Sequence, residues 1–341
     1  MERGFSVFKV PVIVLSGFLG SGKTTLLIRM LQEAASFGLT PAVLMNELGK
    51  QDVDGHFLQS ASPDINVEKL LDGCICCSKK NEINNAMKQL LKRKPDVILI
   101  ELTGVANPEE IADALTEPAL LPYFKLQTVI TVLDAEHVLA YNSIFASDRE
   151  LVHTLRRQMA VADLLLLNKI DLVTDKQRHS IEKTIRKWNE RSLLLPTTHS
   201  LFDLSLIFGS LKQLEAPTPA SPTFNRKLQV VKNMKSNSGQ SEPKSNLSYS
   251  RIQTVTLNAD YPHFITQRIV ERYLTRWSAQ LLRAKGYFSF EPAGQSFIMQ
   301  YAGKRTNWQR THFEGKPYLI LIGIDLDAET LEQDWQKGLS Q

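Results

Sequence analysis

Five short, almost wholly apolar runs punctuate the first two thirds of the chain: Val12–Leu15, Ala42–Met45, Val97–Ile100, Val129–Leu133 and Leu164–Leu167. Rich in Val, Ile and Leu and unbroken by alternation, they have the pattern of strands covered on both faces in a parallel sheet. Longer stretches with helical spacing lie between them, among them Thr24–Ala35, Asn81–Leu91 and Arg178–Asn189. This alternation predicts an α/β fold with a doubly wound, mostly parallel sheet over residues 1–211. Functional groups are then expected at the carboxyl ends of the strands.

The pattern breaks at residues 212–250, where Pro217, Pro219, Pro222 and Pro243 stand among Ser, Asn, Lys and Gln with few large apolar side chains. Such a composition buries little and predicts a flexible linker. Periodicity resumes in residues 251–341, with a strand over Arg251–Leu257 and a helix over Phe264–Leu282. Further strands are expected over Tyr287–Phe290, Ser296–Tyr301 and Tyr318–Ile324, making a small α+β C-terminal domain.

Composition narrows the partners. With 341 residues, 43% of them hydrophobic and 22% charged, the chain has the make-up of a folded protein with a substantial core. A net charge of +4 at this length gives no reason to expect nucleic acid or an anionic membrane as partner. Glu2, Arg3 and Lys9 interrupt the start of the chain, and Val10–Leu15 is too short for a signal or membrane segment, so a cytoplasmic protein is expected.

The most specific motif follows the first apolar run. Gly17-Phe18-Leu19-Gly20-Ser21-Gly22-Lys23-Thr24 is a Walker A loop placed between a strand and a helix. Its glycines let the backbone close round phosphates, while the helix start adds a favourable dipole. Lys23 would reach the β- and γ-phosphates and the Thr24 hydroxyl would bind Mg²⁺. Asn168-Lys169-Ile170-Asp171 closes the fifth run. Asp171 there can accept from the two ring-edge donors of guanine, a pair that adenine lacks, with Asn168 and Lys169 holding the base and its loop. Together the two motifs favour GTP over ATP.

Two more strand ends carry candidates. Glu101-Leu102-Thr103-Gly104 follows Val97–Ile100: Glu101 can hold an Mg²⁺-bound water, and the Gly104 N–H can contact a γ-phosphate. Asn46-Glu47-Leu48-Gly49 follows Ala42–Met45, where a nucleotide-sensing switch would sit, and Glu47 there can orient water or bind a cation.

All three cysteines, Cys74, Cys76 and Cys77, lie within four residues just before an expected helix. Thiolates suit Zn²⁺ or Cu(I), and a helix start lowers thiol pKa. Three ligands from one segment leave a fourth position open, which suits transfer of a metal better than permanent structure. Small buried residues, redox sensing and a disulfide are the competing readings.

Taken together, Pro11–Leu27, Asn46-Glu47, Gly73-Cys-Ile-Cys-Cys77, Ile100–Pro108 and Asn168–Asp171 resemble, in this order, the CobW-like GTPases. That group belongs with the metallochaperone GTPases that include the nickel-insertion proteins of urease and hydrogenase. Arg283–Gly286 and the strand Tyr318–Gly323 are similar to the CobW C-terminal domain. The resemblance implies a P-loop NTPase fold and a slow GTPase that cycles between GTP and GDP. It also implies Zn²⁺, or Co²⁺, at the cysteine motif and delivery of that metal to a client protein. Carried over, Gly20, Ser21, Gly22, Lys23, Thr24 and Thr25 hold phosphates, Cys74, Cys76 and Cys77 hold metal, and Asn168, Lys169 and Asp171 hold guanine. Where many relatives read Asn-Glu-Phe-Gly-Glu at the first switch, this chain has Leu48 and Lys50, and residues 211–250 contain no histidine. The C-terminal domain, lacking recognisable chemistry, is assigned by exclusion to client binding or to homo-oligomer formation. Two rival readings remain: a P-loop kinase for a small molecule, against which Asn168–Asp171 argues, and a regulatory module whose cysteines sense metal or oxidation without delivering metal.

Overall fold

The computed structural model describes residues 9–46, 66–70, 78–144, 147–212, 251–260, 265–290, 295–313 and 315–339. Glu47, Leu48, Lys50, the three cysteines and nearly all of the expected linker lie outside the described residues.

The apolar runs are strands of one seven-stranded sheet: β1 (Val10–Ser16), β2 (Pro41–Asn46), β3 (Asn66–Leu70), β4 (Val97–Glu101), β5 (Phe124–Asp134), β6 (Leu164–Asn168) and β7 (Leu193–Pro196). Their order is β3-β2-β4-β1-β5-β6-β7, and every pair is parallel. The helices are α1 (Lys23–Ser36), α2 (Ser78–Lys92), α3 (Glu109–Leu115), α4 (Val138–Tyr141), α5 (Arg149–Val161), α6 (Asp175–Arg186) and α7 (Ser205–Lys212), with a 3₁₀ turn at Ile170–Leu172. β1, β4 and β6 have no polar-out face because helices cover both sides of the sheet. On one side Ile13, Leu15, Val43 and Leu99 pack on α1 (Leu26, Leu27, Met30) and α7 (Ile207, Phe208). On the other, Val12, Val14, Leu44, Ile98 and Ile100 pack on α2 (Met87, Leu90) and α3 (Ile111, Ala112, Leu115).

The second domain is a five-stranded antiparallel sheet. It is built from β8 (Ile252–Asn258), β9 (Leu281–Phe290), β10 (Gln295–Ala302), β11 (Arg305–Thr311) and β12 (Tyr318–Ile324), ordered β11-β10-β9-β12-β8. α8 (Gln267–Arg276) and α9 (Ala328–Leu339) cover one face, burying Val270, Tyr273, Leu274, Leu331 and Trp335 against Val255, Leu257, Leu319 and Leu321. The helix expected over Phe264–Leu282 is corrected to these shorter bounds. Thr266 caps it by accepting from the Ile269 N–H, and it ends at Arg276. Leu281 and Leu282 belong instead to β9 and point to opposite faces, Leu281 into the domain's own core and Leu282 into the core shared with α3.

That shared core joins the domains. Ile252, Leu282, Ile320 and Ile322 from the second sheet pack in one cluster with Ile111, Ala112 and Leu115 of α3. Ion pairs frame the contact: Arg283 with Asp113 at 3.1 Å and Glu110 at 3.6 Å, and buried Lys285 with Glu117 at 2.6 Å. On the other flank Arg251 donates to the Ala160 carbonyl at 3.0 Å and pairs with Asp325, which Arg191 also reaches.

Candidate functional site

The loop between β1 and α1 has a backbone that only glycine accepts. Gly17 and Gly22 have φ of +129° and +109°, and a Cβ would lie 2.1 Å from the Val132 carbonyl oxygen at Gly17 and 2.4 Å from Asn168 Nδ2 at Gly22. Gly20, at φ +75°, has open space around it. Gly22 caps α1 with no side-chain acceptor, so the first helical N–H groups are left for an anion. Lys23 is buried, and its ammonium donates to the Phe18 carbonyl at 3.1 Å, folding the side chain back over the loop. The Ser21 and Ser16 hydroxyl oxygens are buried without a hydrogen-bond partner. An orphaned hydroxyl, free helix N–H groups, a buried cation and a glycine cradle fit a phosphate chain. Thr25 is exposed in the first turn of α1.

Parallel pairing sets the carboxyl end of β4 beside that of β1, in register Leu15 to Glu101. Buried Glu101 there accepts a 2.8 Å hydrogen bond from the Thr24 hydroxyl. Two adjacent oxygen donors, one a carboxylate, fit a hard cation such as Mg²⁺. Gly104 follows on the same loop, packed so closely on the phosphate loop that a Cβ would be 2.7 Å from Leu19 N. Arg157 pairs with Glu109 at 2.7 Å, fixing the start of α3 to α5.

The turn after β6 is tied to the phosphate loop through Asn168. Its buried amide donates to the Ser21 carbonyl at 2.8 Å and accepts from the Ser200 N–H at 2.8 Å and the Thr197 hydroxyl at 3.3 Å. The loop after β7 is thereby drawn in. Ser200 Oγ donates to the Gly22 carbonyl at 3.2 Å, and Arg29 of α1 donates to the Ser200 and Phe202 carbonyls. His199 and Ser200 both have positive φ, 52° and 54°, an unusual pair for non-glycine residues that these contacts sustain. Asp171 is exposed in the 3₁₀ turn, open to a ligand.

Lys169, at φ +61°, reaches across to Asp134 at the end of β5, 2.7 Å away. Burial pushes the Asp134 carboxyl up, but the Lys169 hydrogen bond, the Glu136 N–H, the Lys169 charge and the His137 hydrogen bond together hold it below its ordinary value. Asp134, Glu136 and His137 also bring their ligand atoms within 4.8 Å of one another. Lys169 already neutralises the central carboxylate, so the trio is a support for the turn. Asp134, Thr197, Ser200 and Arg29 were not singled out from sequence. Asp134 was the findable one, since it ends a buried strand and pairs in register with Asn168.

Lys23, Thr24, Glu101, Gly104 and Asn168 therefore gather at the carboxyl ends of β4, β1 and β6, the last separated from β1 by β5, while Glu47, Cys74, Cys76 and Cys77 lie outside the described residues. Among the described residues no helix is long and apolar enough to cross a membrane.

The family model for the CobW/HypB/UreG nucleotide-binding domain matches residues 11–196, and that for the cobalamin synthesis protein CobW C-terminal domain matches residues 252–339. The Escherichia coli K-12 protein named zinc chaperone YjiA is 27% identical over 337 residues, covering 94% of this chain and 96% of its own length. The Dictyostelium discoideum protein named zinc-regulated GTPase metalloprotein activator 1 is 34% identical over 238 residues, which is 61% of this chain but only 49% of that relative. The crystal structure of Zn(II)-bound YjiA GTPase aligns over 98% of this chain and 100% of its own, at a TM-score of 0.47 and 22% identity.

Proposed function

This chain belongs to the CobW/HypB/UreG family, and on that premise we propose that it binds and slowly hydrolyses GTP and carries Zn²⁺ to a client protein in a nucleotide-dependent way. One observation carries the nucleotide half: Asn168 fastens the turn after β6 to the phosphate loop through the Ser21 carbonyl, 2.8 Å away, which supports reading the two motifs as one nucleotide site. The zinc half rests on the Cys74, Cys76, Cys77 triplet and on relatives named zinc chaperones. Co²⁺ is the alternative cargo.

In this reading the α1 N–H groups and Lys23 bind the phosphates, with Lys23 exchanging the Phe18 carbonyl for phosphate oxygens. Asp171 accepts from the guanine edge, and Lys169, steadied by Asp134, lies along the base. Thr24 and Glu101 would hold Mg²⁺, which when bound would supply charge to neutralise the phosphates. Gly104 offers its N–H to the γ-phosphate, and Glu47 orients the attacking water. Coupling to metal requires that the cysteines bind it with different affinity in the two nucleotide states. A client metalloprotein and a cytoplasmic setting belong to the same proposal, with the C-terminal domain as the docking or self-association surface.

The test is a competitive Zn²⁺ titration of the reduced protein with Mg²⁺ and a non-hydrolysable GTP analogue, repeated with GDP, alongside a Cys76→Ser, Cys77→Ser variant. The expected result is tight, cysteine-dependent binding that differs between nucleotides by about tenfold or more, about 1.4 kcal/mol of coupling. Indifference to nucleotide would remove the delivery switch and move a sensing role ahead of it.

A further inference from the structure

Gln158 of α5 is fully buried, yet its amide lies against the loop that follows β4. Its Nε2 donates to two carbonyls of that loop, Gly104 at 3.1 Å and Ala106 at 3.0 Å. Two carbonyl oxygens on one side of the amide require the nitrogen to face them, so chemistry fixes its orientation. The other end, Oε1, is buried with no hydrogen-bond partner, a costly arrangement to retain. The helix backbone at Gln158 is anchored from behind, where the Thr131 hydroxyl of β5 donates to the Gln158 carbonyl at 3.0 Å.

The geometry of the peptide unit carries the consequence. In a trans peptide the C=O and the following N–H point in opposite directions. Drawing the Gly104 carbonyl inward to Gln158 therefore turns the Val105 N–H away from α5, at a residue that is itself 54% exposed. The same loop backbone abuts Phe18 and Leu19 at Gly104. Ala106 spends its own N–H on the Thr103 carbonyl, at 3.0 Å, so Val105 joins Gly104 as a backbone donor this turn can offer.

We infer that Gln158 is a positioning residue for γ-phosphate recognition, holding the Gly104–Ala106 loop so that the Val105 N–H faces the terminal phosphate of a bound nucleoside triphosphate. Gln158 itself touches no ligand. Its effect is selective, because a diphosphate has no group at that place. The inference rests on the nucleotide site proposed above and deepens it by naming the residue that holds the loop distinguishing triphosphate from diphosphate.

The experiment compares unaltered protein, Gln158→Met and Thr131→Val for binding of GDP and of a non-hydrolysable GTP analogue with Mg²⁺, and for GTP turnover. Met keeps the length and volume of Gln but cannot donate. Gln158→Met is expected to weaken the analogue about tenfold, and kcat by a similar factor, while leaving GDP affinity within about twofold, as for the loss of one backbone hydrogen bond. Thr131→Val removes the anchor but not the clasp, and is expected to keep the ratio of analogue to GDP affinity. If Gln158→Met shifts both nucleotides alike, or neither, the inference is overturned while the nucleotide site stands. If the unaltered protein binds neither nucleotide, both fall. A readout that needs no variant is hydrogen exchange at Val105 in the unaltered protein. The amide is expected to exchange more slowly with the analogue than with GDP, and equal rates would overturn the assignment even if Gln158→Met failed to fold.

Discussion

Replacing Asn168 with alanine would separate two parts of the candidate site that the chain holds together. The substitution orphans the Ser21 carbonyl and the N–H of fully buried Ser200, and removes the acceptor of Thr197. At about 1–3 kcal/mol for each of the two buried backbone groups left unpaired, the expected loss is about 2–6 kcal/mol. For a domain of this size that lowers the melting temperature by about 5–15 °C. Stability alone would say little about function, and Asn189 provides the comparison. It too is a buried asparagine, donating to Met159 and Ala162 carbonyls at 2.8 and 2.9 Å and accepting from the Ser192 N–H at 3.0 Å. Its partners lie at the opposite end of β6, about 15 Å from Asn168 by the rise of a five-residue strand. Thermal melts and GDP titration calorimetry on both alanine variants, below their melting points, decide the matter. Both are expected to melt earlier, but only Asn168→Ala should weaken GDP by about tenfold or more, as expected when a binding loop loses its preorganisation. Equal GDP affinity in the two variants would refute the view that Asn168 joins base and phosphate recognition.

Two further outcomes follow from the same geometry. Gly17→Ala puts a methyl 2.1 Å from the Val132 carbonyl at a φ of +129°, so the phosphate loop must move; nucleotide binding by calorimetry should be abolished in protein that still melts cooperatively. Asp134→Asn tests the support of Lys169. A carboxyl held below its ordinary value stabilises the fold at pH values above the unfolded pKa, about 4, and loses that contribution as pH falls through the folded value. The variant should therefore melt below the unaltered protein at pH 7, and the gap should close in melts run progressively below about pH 4.

The parallel sheet was legible because its central strands are buried on both faces: Val97–Ile100 or Leu164–Leu167 admit hardly any other reading. Edge and polar strands were not. β11, Arg305–Thr311, is mostly exposed and carries no hydrophobic signature, and β7 is an edge strand exposed at both ends. Leu281-Leu282 misled because two adjacent leucines continue a helical count as readily as they serve the two faces of a strand; only the neighbours β10 and β12 settle it. In the candidate site, the spacing of Gly17 to Thr24 announces its chemistry locally. The contacts of Asn168 with Ser21 and Ser200, and of Gln158 with Gly104, join residues far apart in sequence, and an isolated glutamine on a helix gives no local signal of such a role.

The seating of α3 between the two sheets bears on cooperativity. Ile252, Leu282, Ile320 and Ile322 add their burial to the core of the first domain, worth about 1.5–3 kcal/mol for each side chain removed from water. Neither half keeps that contribution alone. A chain cut back to the first domain would bare Ile111 and Leu115 to solvent and leave Asp113 and Glu117 without their cations. The C-terminal sheet would expose Ile320 and Ile322 together with the buried Lys285. The two domains are in this sense one thermodynamic unit, and the stability of the helix that carries the Gly104 loop into its core is set partly by residues more than a hundred positions further along the chain.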